Sequence, residues 1–389
     1  RVCAALDHPE RKLKFVHVAG TNGKGTVCHM VAAALKCAGH RVGLFTSPHL
    51  VDFRERIRAD GRMIPESDVV AFVRRWQEES WGAPSFFELT FGMALVHFAQ
   101  LQCDVVVLET GMGGRLDSTN VIPAPEVAVV TNIGLDHQQF LGPDIRSIAK
   151  EKGGIFKDGV PVVLGPMRPE AQSELLAAAL RSSSEVHFAR DVEGEASAHL
   201  HEEASFVTRQ NLSTALATLK VLQARDWAIS KEAIQSGLSD YAAITGQRGR
   251  WQEVAVPRQP LVILDGAHNI DGVAAMVRAL EAKVQTRGGR LWVIWGAVAD
   301  KDHHEVMSLL PENASFVWCA ADIPRAMEAS KVASLRPALS GAVVSVPVEA
   351  LAHAMDAAGE NDVIWVGGSL FVVGDVLRDA PQRIADWPV

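Results

Sequence analysis

The chain has 389 residues, enough for two domains of ordinary size that each bury a core. Its 48% apolar and 22% charged residues fit a globular protein, and a net charge of −8 argues against nucleic acid as the main partner. No apolar run approaches the roughly 18 residues of a membrane-spanning helix, so no membrane partner is expected. Cys3, Cys28, Cys37, Cys103 and Cys319 form no C-x-x-C pair and read as reduced, mostly buried thiols, which points to a cytoplasmic location. The chain opens at Arg1 rather than methionine, so a truncated N-terminal segment is expected and a leader within it stays open.

The β-branched run Phe15–Val18 predicts a buried strand, and the periodic segment Val27–Ala38 predicts a helix. Between them lies Gly20-Thr21-Asn22-Gly23-Lys24-Gly25-Thr26. Glycines allow a tight turn whose N–H groups converge on an anion, and the helix behind adds roughly +0.5 of a charge. Lys24 is placed to reach the outer phosphates of a nucleotide, and Thr26 to offer a hydroxyl to magnesium. The spacing departs from G-x-x-x-x-G-K-[ST], because Gly25 stands between Lys24 and Thr26.

Arg41–Phe45 reads as a strand ending at Thr46-Ser47-Pro48-His49, and Pro65–Glu79 and Phe86–Gln102 read as helices. Asp104–Leu108 predicts a strand that stops at Glu109, before the glycine-rich segment Gly111–Asn120. Glu126–Thr131 is a further strand running into Asp136-His137. Asp144–Phe156, Glu170–Arg181 and Arg209–Arg225 read as helices, Val160–Leu164 as a strand, and 191–208 as an irregular surface excursion. A Gly/Arg-rich break at Thr245–Arg250 suggests domains at 1–245 and 253–389 with a hinge at 246–252. Beyond it Leu261–Leu264, Leu291–Trp295, Ser315–Cys319, Ala342–Val346 and Asp362–Val366 read as strands, with helices such as Gly272–Ala282 between them. The alternation predicts an α/β protein of two domains: an N-terminal P-loop ATPase domain with a mainly parallel sheet, and a C-terminal Rossmann-like domain.

Ser47, Glu109 and His137 each follow an apolar strand, at the sheet edge where open α/β folds bind ligands. An acid beside a phosphate loop suits nucleotide-bound Mg²⁺, although Glu109 also reads as a capping or surface carboxylate and Ser47 alone as a turn serine. His137 stands open between a ligand and a structural hydrogen-bonder, and His268 between a catalytic residue and a cap on the following helix. Lys152, in Lys150-Glu151-Lys152, reads on its own as a solvated helix lysine, and Asp300-Lys301-Asp302 as a solvated loop.

Over essentially its whole length the chain resembles the folylpolyglutamate synthase/dihydrofolate synthase family of the Mur ligase superfamily. The resemblance rests on the 20–26 loop, Thr46–His49, Glu109–Asn120, Leu135–His137, Glu151–Phe156, Asp265–Asn269 and Asp300–Asp302. It implies an ATP-dependent ligase that adds L-glutamate to dihydropteroate or reduced folates through an acyl phosphate. It further implies two Mg²⁺ ions, held by Ser47, Glu109 and His137 and by a carbamylated Lys152. A lysine must be neutral to react with CO₂, so the site has to disfavour the ammonium by desolvation or nearby cations. Gly20–Thr26, Asn211, Arg250 and Asp265 would contact ATP, the last two from across a domain cleft, and Leu116, Asp117 and Ser118 would lie beside the pterin-bearing substrate. Lys24, Lys152 and His268 are the residues expected to act in the chemistry, in a monomer. The family's proline is replaced by Ile270 after His-Asn and by Arg248 before Gly-Arg, and its pterin-contacting loop lies upstream of Arg1. The alternatives are another Mur-type amino-acid ligase or a P-loop phosphotransferase.

Overall fold

The computed structural model describes residues 1–79, 81–196, 206–299, 303–384 and 387. It divides into two compact units, Arg1–Gln247 and Arg248–Val389. Among the described residues the first unit is built on an eight-stranded sheet: β1 (Phe15–Ala19), β2 (Val42–Phe45), β3 (Ile57–Ala59), β4 (Arg62–Met63), β5 (Val105–Glu109), β6 (Val127–Val130), β7 (Val162–Leu164) and β8 (Val186–Phe188). Its order is β4-β3-β2-β5-β1-β6-β7-β8, parallel from β2 to β8, with β3 and β4 antiparallel at one edge. β1 and β5 are wholly buried Val-rich runs, as strands covered on both faces must be.

The helix Lys24–Cys37 starts inside the glycine-rich loop, three residues before the periodicity alone suggests. It is buried continuously from Thr26 to Leu35, against the sheet on one side and the helices Phe206–Ala224 and Lys231–Ser239 on the other. A Cβ on Gly237 would lie 2.3 Å from Ala34 Cα, so only glycine permits this helix contact. The opposite face carries Phe86–Gln100, opened by a capping box in which Ser85 Oγ accepts from Glu88 N at 3.2 Å. The helix Ile145–Gly153, capped by Asp144, packs on β6 and β7 through Ile145, Ile148 and Ala149.

In the second unit, β9 (Gln252–Val254), β10 (Leu261–Leu264), β11 (Leu291–Trp295), β12 (Ser315–Trp318), β13 (Gly341–Val343) and β14 (Val363–Gly367) form the order β13-β12-β11-β14-β10-β9. Among the described strands of this sheet, β9 and β10 pair antiparallel and the other pairs are parallel. Its core holds the fully buried Trp295, Trp318 and Trp365.

Several expectations change. β3, β4, β8 and β9 are too short for periodicity to reveal. Glu193–Ala196 is helical and the helix expected from Arg209 begins at Phe206, so 191–208 is not irregular where it is described. Cys37 is exposed and Cys3 half-buried, whereas Cys28, Cys103 and Cys319 are buried; all five are free. Asp300, Lys301 and Asp302 lie outside the described residues. No described helix is long and apolar enough to cross a membrane.

Candidate active site

Strand order builds the site. β2, β5, β1 and β6 are parallel neighbours, so their C-terminal ends line up along one sheet edge. Read across that edge, they deliver Ser47, Glu109, the Gly20–Thr26 loop and the segment leading to His137. Neighbouring tips about 60 to 110 positions apart in sequence become side-by-side.

The loop is braced before any ligand is considered. Thr21 N donates to Asn132 O at 3.0 Å, Asn22 N to Asn132 Oδ1 at 2.8 Å and Gly134 N to Thr21 Oγ1 at 2.9 Å. Thr131 Oγ1 donates to Asn22 O at 2.7 Å. Gly23 caps the helix at φ +80°, and a Cβ there would lie 2.2 Å from Asn211 Oδ1, so Asn211 sits directly against the loop. Gln247 Nε2 donates to Thr26 Oγ1 at 3.1 Å.

Lys24 Nζ donates to Thr21 O at 3.3 Å and lies 3.9 Å from Glu109 Oε1. Glu109 is 3% exposed, which removes the surface-carboxylate reading, and its Oε2 accepts Ser47 N–H at 2.9 Å. A buried carboxylate paired with a loop lysine suits nucleotide phosphates and their counter-ion.

Lys152 is not a solvated lysine. Ile145, Ile148, Ala149 and Lys152 share one helix face at i, i+3, i+4 and i+7, so the lysine is carried into the interior and is 4% exposed. Its Nζ donates to Gly20 O at 2.9 Å, joining this helix to the phosphate loop. Burial, then the Lys24 charge, push its amine down to about 7, against Asp136 and Asp117. That is the near-neutral amine that carbamylation requires.

His137 begins the helix Gln138–Leu141 with φ +53°, its ring is 43% exposed, and Nε2 lies 4.0 Å from Asp136 Oδ1. Among the described residues, no three His, Cys, Asp or Glu side chains are placed to hold a metal ion by themselves. The donor set fits a magnesium-like ion all the same. Such an ion keeps one or two carboxylates and completes its shell with phosphate oxygens and water, and Glu109 supplies the buried carboxylate beside the phosphate loop.

Of the residues expected beside the substrate, Leu116 is 78% exposed, a large apolar side chain presented to solvent. Asp117 Oδ1 accepts from Thr119 N at 3.0 Å and Thr119 Oγ1 at 2.6 Å, and Oδ2 accepts Met112 N at 2.8 Å. Ser118, half-buried, opens the short helix that Asp117 caps. Arg115 pairs with Glu151 at 3.0 Å, so this loop is tied to the helix that carries Lys152.

In the second unit, Asp265 directly follows β10 and accepts Trp251 N at 2.7 Å and Ala267 N at 2.9 Å. Burial raises its carboxyl, with Arg250 opposing. His268 Nδ1–H donates to Gly266 O at 2.8 Å, and the helix Ile270–Arg287 is capped by Asn269, not by His268.

Sequence reasoning missed the Thr131–Gly134 brace, Gln247, and His17, buried on β1. Their roles come from residues about 100 or more positions away, and no local spacing marks them.

Two family descriptions match the chain: "Mur ligase middle domain" over residues 18–164 and "Mur ligase, glutamate ligase domain" over 249–370. It is 33% identical over 97% of its length to a Bacillus subtilis dihydrofolate synthase/folylpolyglutamate synthase, covering 93% of that protein. A Haloferax volcanii protein described as a probable bifunctional folylpolyglutamate synthase/dihydropteroate synthase is 34% identical over 96% of the chain, which spans 47% of that longer protein. Among solved structures, one described as E. coli FolC in complex with DHPP and ADP is 31% identical, with a TM-score of 0.85 over 98% of this chain and 92% of that one. A Yersinia pestis bifunctional folylpolyglutamate synthase/dihydrofolate synthase complexed with AMPPNP and Mn ion is 30% identical, with a TM-score of 0.82 over 98% and 92%. The chain therefore belongs to the dihydrofolate synthase/folylpolyglutamate synthase family of Mur-type ATP-dependent amide ligases.

Proposed function

We propose that the chain joins the α-amine of L-glutamate to the carboxylate of dihydropteroate, of reduced folates, or of both, with ATP as the phosphoryl donor. The observation that carries this reading is the alignment of Ser47, Glu109, the phosphate loop and His137 on one sheet edge, with the buried Lys152 amine bonded to that loop.

An acceptor carboxylate oxygen attacks the γ-phosphorus, the bridging P–O bond breaks, and ADP leaves. The glutamate amine then attacks the acyl carbon and loses a proton, and the C–O bond to phosphate breaks to leave the amide. Lys24 and the loop N–H groups hold the phosphates, so positioning and charge complementarity do most of the work. When bound, divalent ions neutralise charge on the phosphates. Ser47, Glu109 and His137 would hold one ion, and the carbamate of Lys152, formed as the amine takes up CO₂ and releases a proton, would hold a second. Asn211, Arg250 and Asp265 are assigned to ATP, and Leu116, Asp117 and Ser118 to the acceptor. His268, with Nδ1–H committed to Gly266 O, is assigned as proton acceptor through Nε2. A hinge at 246–252 between domains 1–245 and 253–389, a monomeric state and a cytoplasmic location complete the reading.

The test is ADP release from Mg-ATP in four arms: dihydropteroate plus glutamate, tetrahydrofolate plus glutamate, a UDP-sugar acid plus amino acids, and no acceptor. Turnover is expected in either or both of the first two. Turnover only with the sugar acid, or equal turnover without acceptor, would overturn the assignment.

A further inference from the structure

His17 stands at the middle of β1, the strand that delivers the phosphate loop, and it is completely buried. Alternation turns Val16 and Val18 toward the loop-helix core, so His17 shares the opposite face with Phe15. Its Nε2 lies 2.9 Å from Thr119 Oγ1. The Thr119 hydroxyl donates its own proton to Asp117 Oδ1 at 2.6 Å, so it accepts from the ring, and Nε2 carries the hydrogen. Asp117 Oδ2 in turn holds Met112 N at 2.8 Å. A continuous chain of hydrogen bonds therefore runs from the centre of the sheet to the loop that presents Leu116 and Ser118. Among the described residues Nδ1 has no hydrogen-bond partner, so Thr119 is the ring's hydrogen-bond contact.

A buried histidine amid apolar strands has no reason to be tolerated unless its one polar contact is worth more than an aliphatic side chain there. Burial, reinforced by the charge of Lys157, pushes the ring down to about 3, so it is neutral and a fixed single donor across the working pH range. We propose that His17 is a positioning residue for the acceptor: through Thr119 it fixes Asp117 and thereby the Gly111–Asn120 loop. This rests on the assignment of that loop to the acceptor. It adds that one strand holds both substrates' loops in register, the phosphate loop by its end and the acceptor loop by its middle.

The test is steady-state kinetics of Thr119→Val, His17→Leu and His17→Gln, with thermal unfolding of each. Thr119→Val keeps shape and removes only the hydroxyl, so it guards against a misfolded His17 variant. Thr119→Val and His17→Leu are expected to raise the acceptor KM about tenfold, with the ATP KM within about twofold of the parent. His17→Gln, whose amide can place an N–H near the Nε2 position, should recover most of that loss. The double variant Thr119→Val/His17→Leu should be no worse than the poorer single variant, because both break one chain. Parallel rises in both KM values, unchanged kinetics, equal defects in Gln and Leu, or additive losses would each overturn the proposal. If the parent enzyme turns over neither dihydropteroate nor folates, the functional reading fails first, and that outcome is distinct.

Discussion

Replacing Lys152 with methionine tests the buried-amine argument without any ligand. The amine is held at about 7 against an ordinary 10.5, and its side chain is almost wholly enclosed. Below pH 7 both the folded and unfolded chains bind the proton, so the full penalty of burying the ammonium is present. Between pH 7 and 10.5 the folded protein has shed the proton and the unfolded chain keeps it, so stability rises with pH across that window. At pH 7 the penalty amounts to about 4 kcal/mol. Lys152→Met removes it but leaves Gly20 O without its 2.9 Å donor, a loss of about 1–3 kcal/mol. The variant should therefore be more stable than the parent by about 1–3 kcal/mol at pH 7. That advantage should reverse by about pH 10, where only the lost hydrogen bond remains. The assay is urea unfolding of both proteins at a series of pH values, in metal-free, nucleotide-free and carbonate-free buffer. Parallel stability–pH profiles would show that Lys152 keeps an ordinary ammonium, and would remove the physical basis for its carbamylation.

Other outcomes follow from the same geometry. Lys24→Ala should abolish ATP-dependent amide formation with a thermal midpoint within a few degrees of the parent; retained turnover would refute the loop assignment. Glu109→Gln keeps an oxygen for Ser47 N–H but loses the charge, so kcat should fall by about 10²–10³ and the required divalent-ion concentration should rise. An unchanged metal titration would remove Glu109 from the ion site. Gly23→Ala meets both a φ of +80° and a 2.2 Å clash with Asn211, so the ATP KM should rise at least tenfold. Equal ATP KM values would show that the loop relaxes freely.

Much of this arrangement was legible in the residues. The long buried strands and the glycine loop announce themselves by composition, because a strand covered on both faces has to be continuously apolar. Lys152 is instructive, since the spacing Ile145, Ile148, Ala149, Lys152 places it on the apolar stripe, while the adjacent Lys150 and Glu151 give the segment the look of a solvated face. His17 and Gln247 carried no such cue. Their meaning lies in partners 102 and 221 positions away, which only the sheet order and helix packing supply. The short edge strands were illegible for another reason: two or three residues do not establish a period.

The position of β1 in its sheet also bears on how the protein is made. β1 is synthesised well before its two neighbours, β5 and β6, which follow some ninety to one hundred and ten residues later. A growing chain that ends before Val130 lacks one flank of the strand that bears the phosphate loop. Closing such long parallel connections is entropically slow. Nucleotide binding should therefore be unable to assist folding until most of the first unit has left the ribosome. Until then β1, fully buried in the finished sheet, keeps an open edge that is exposed to non-native pairing.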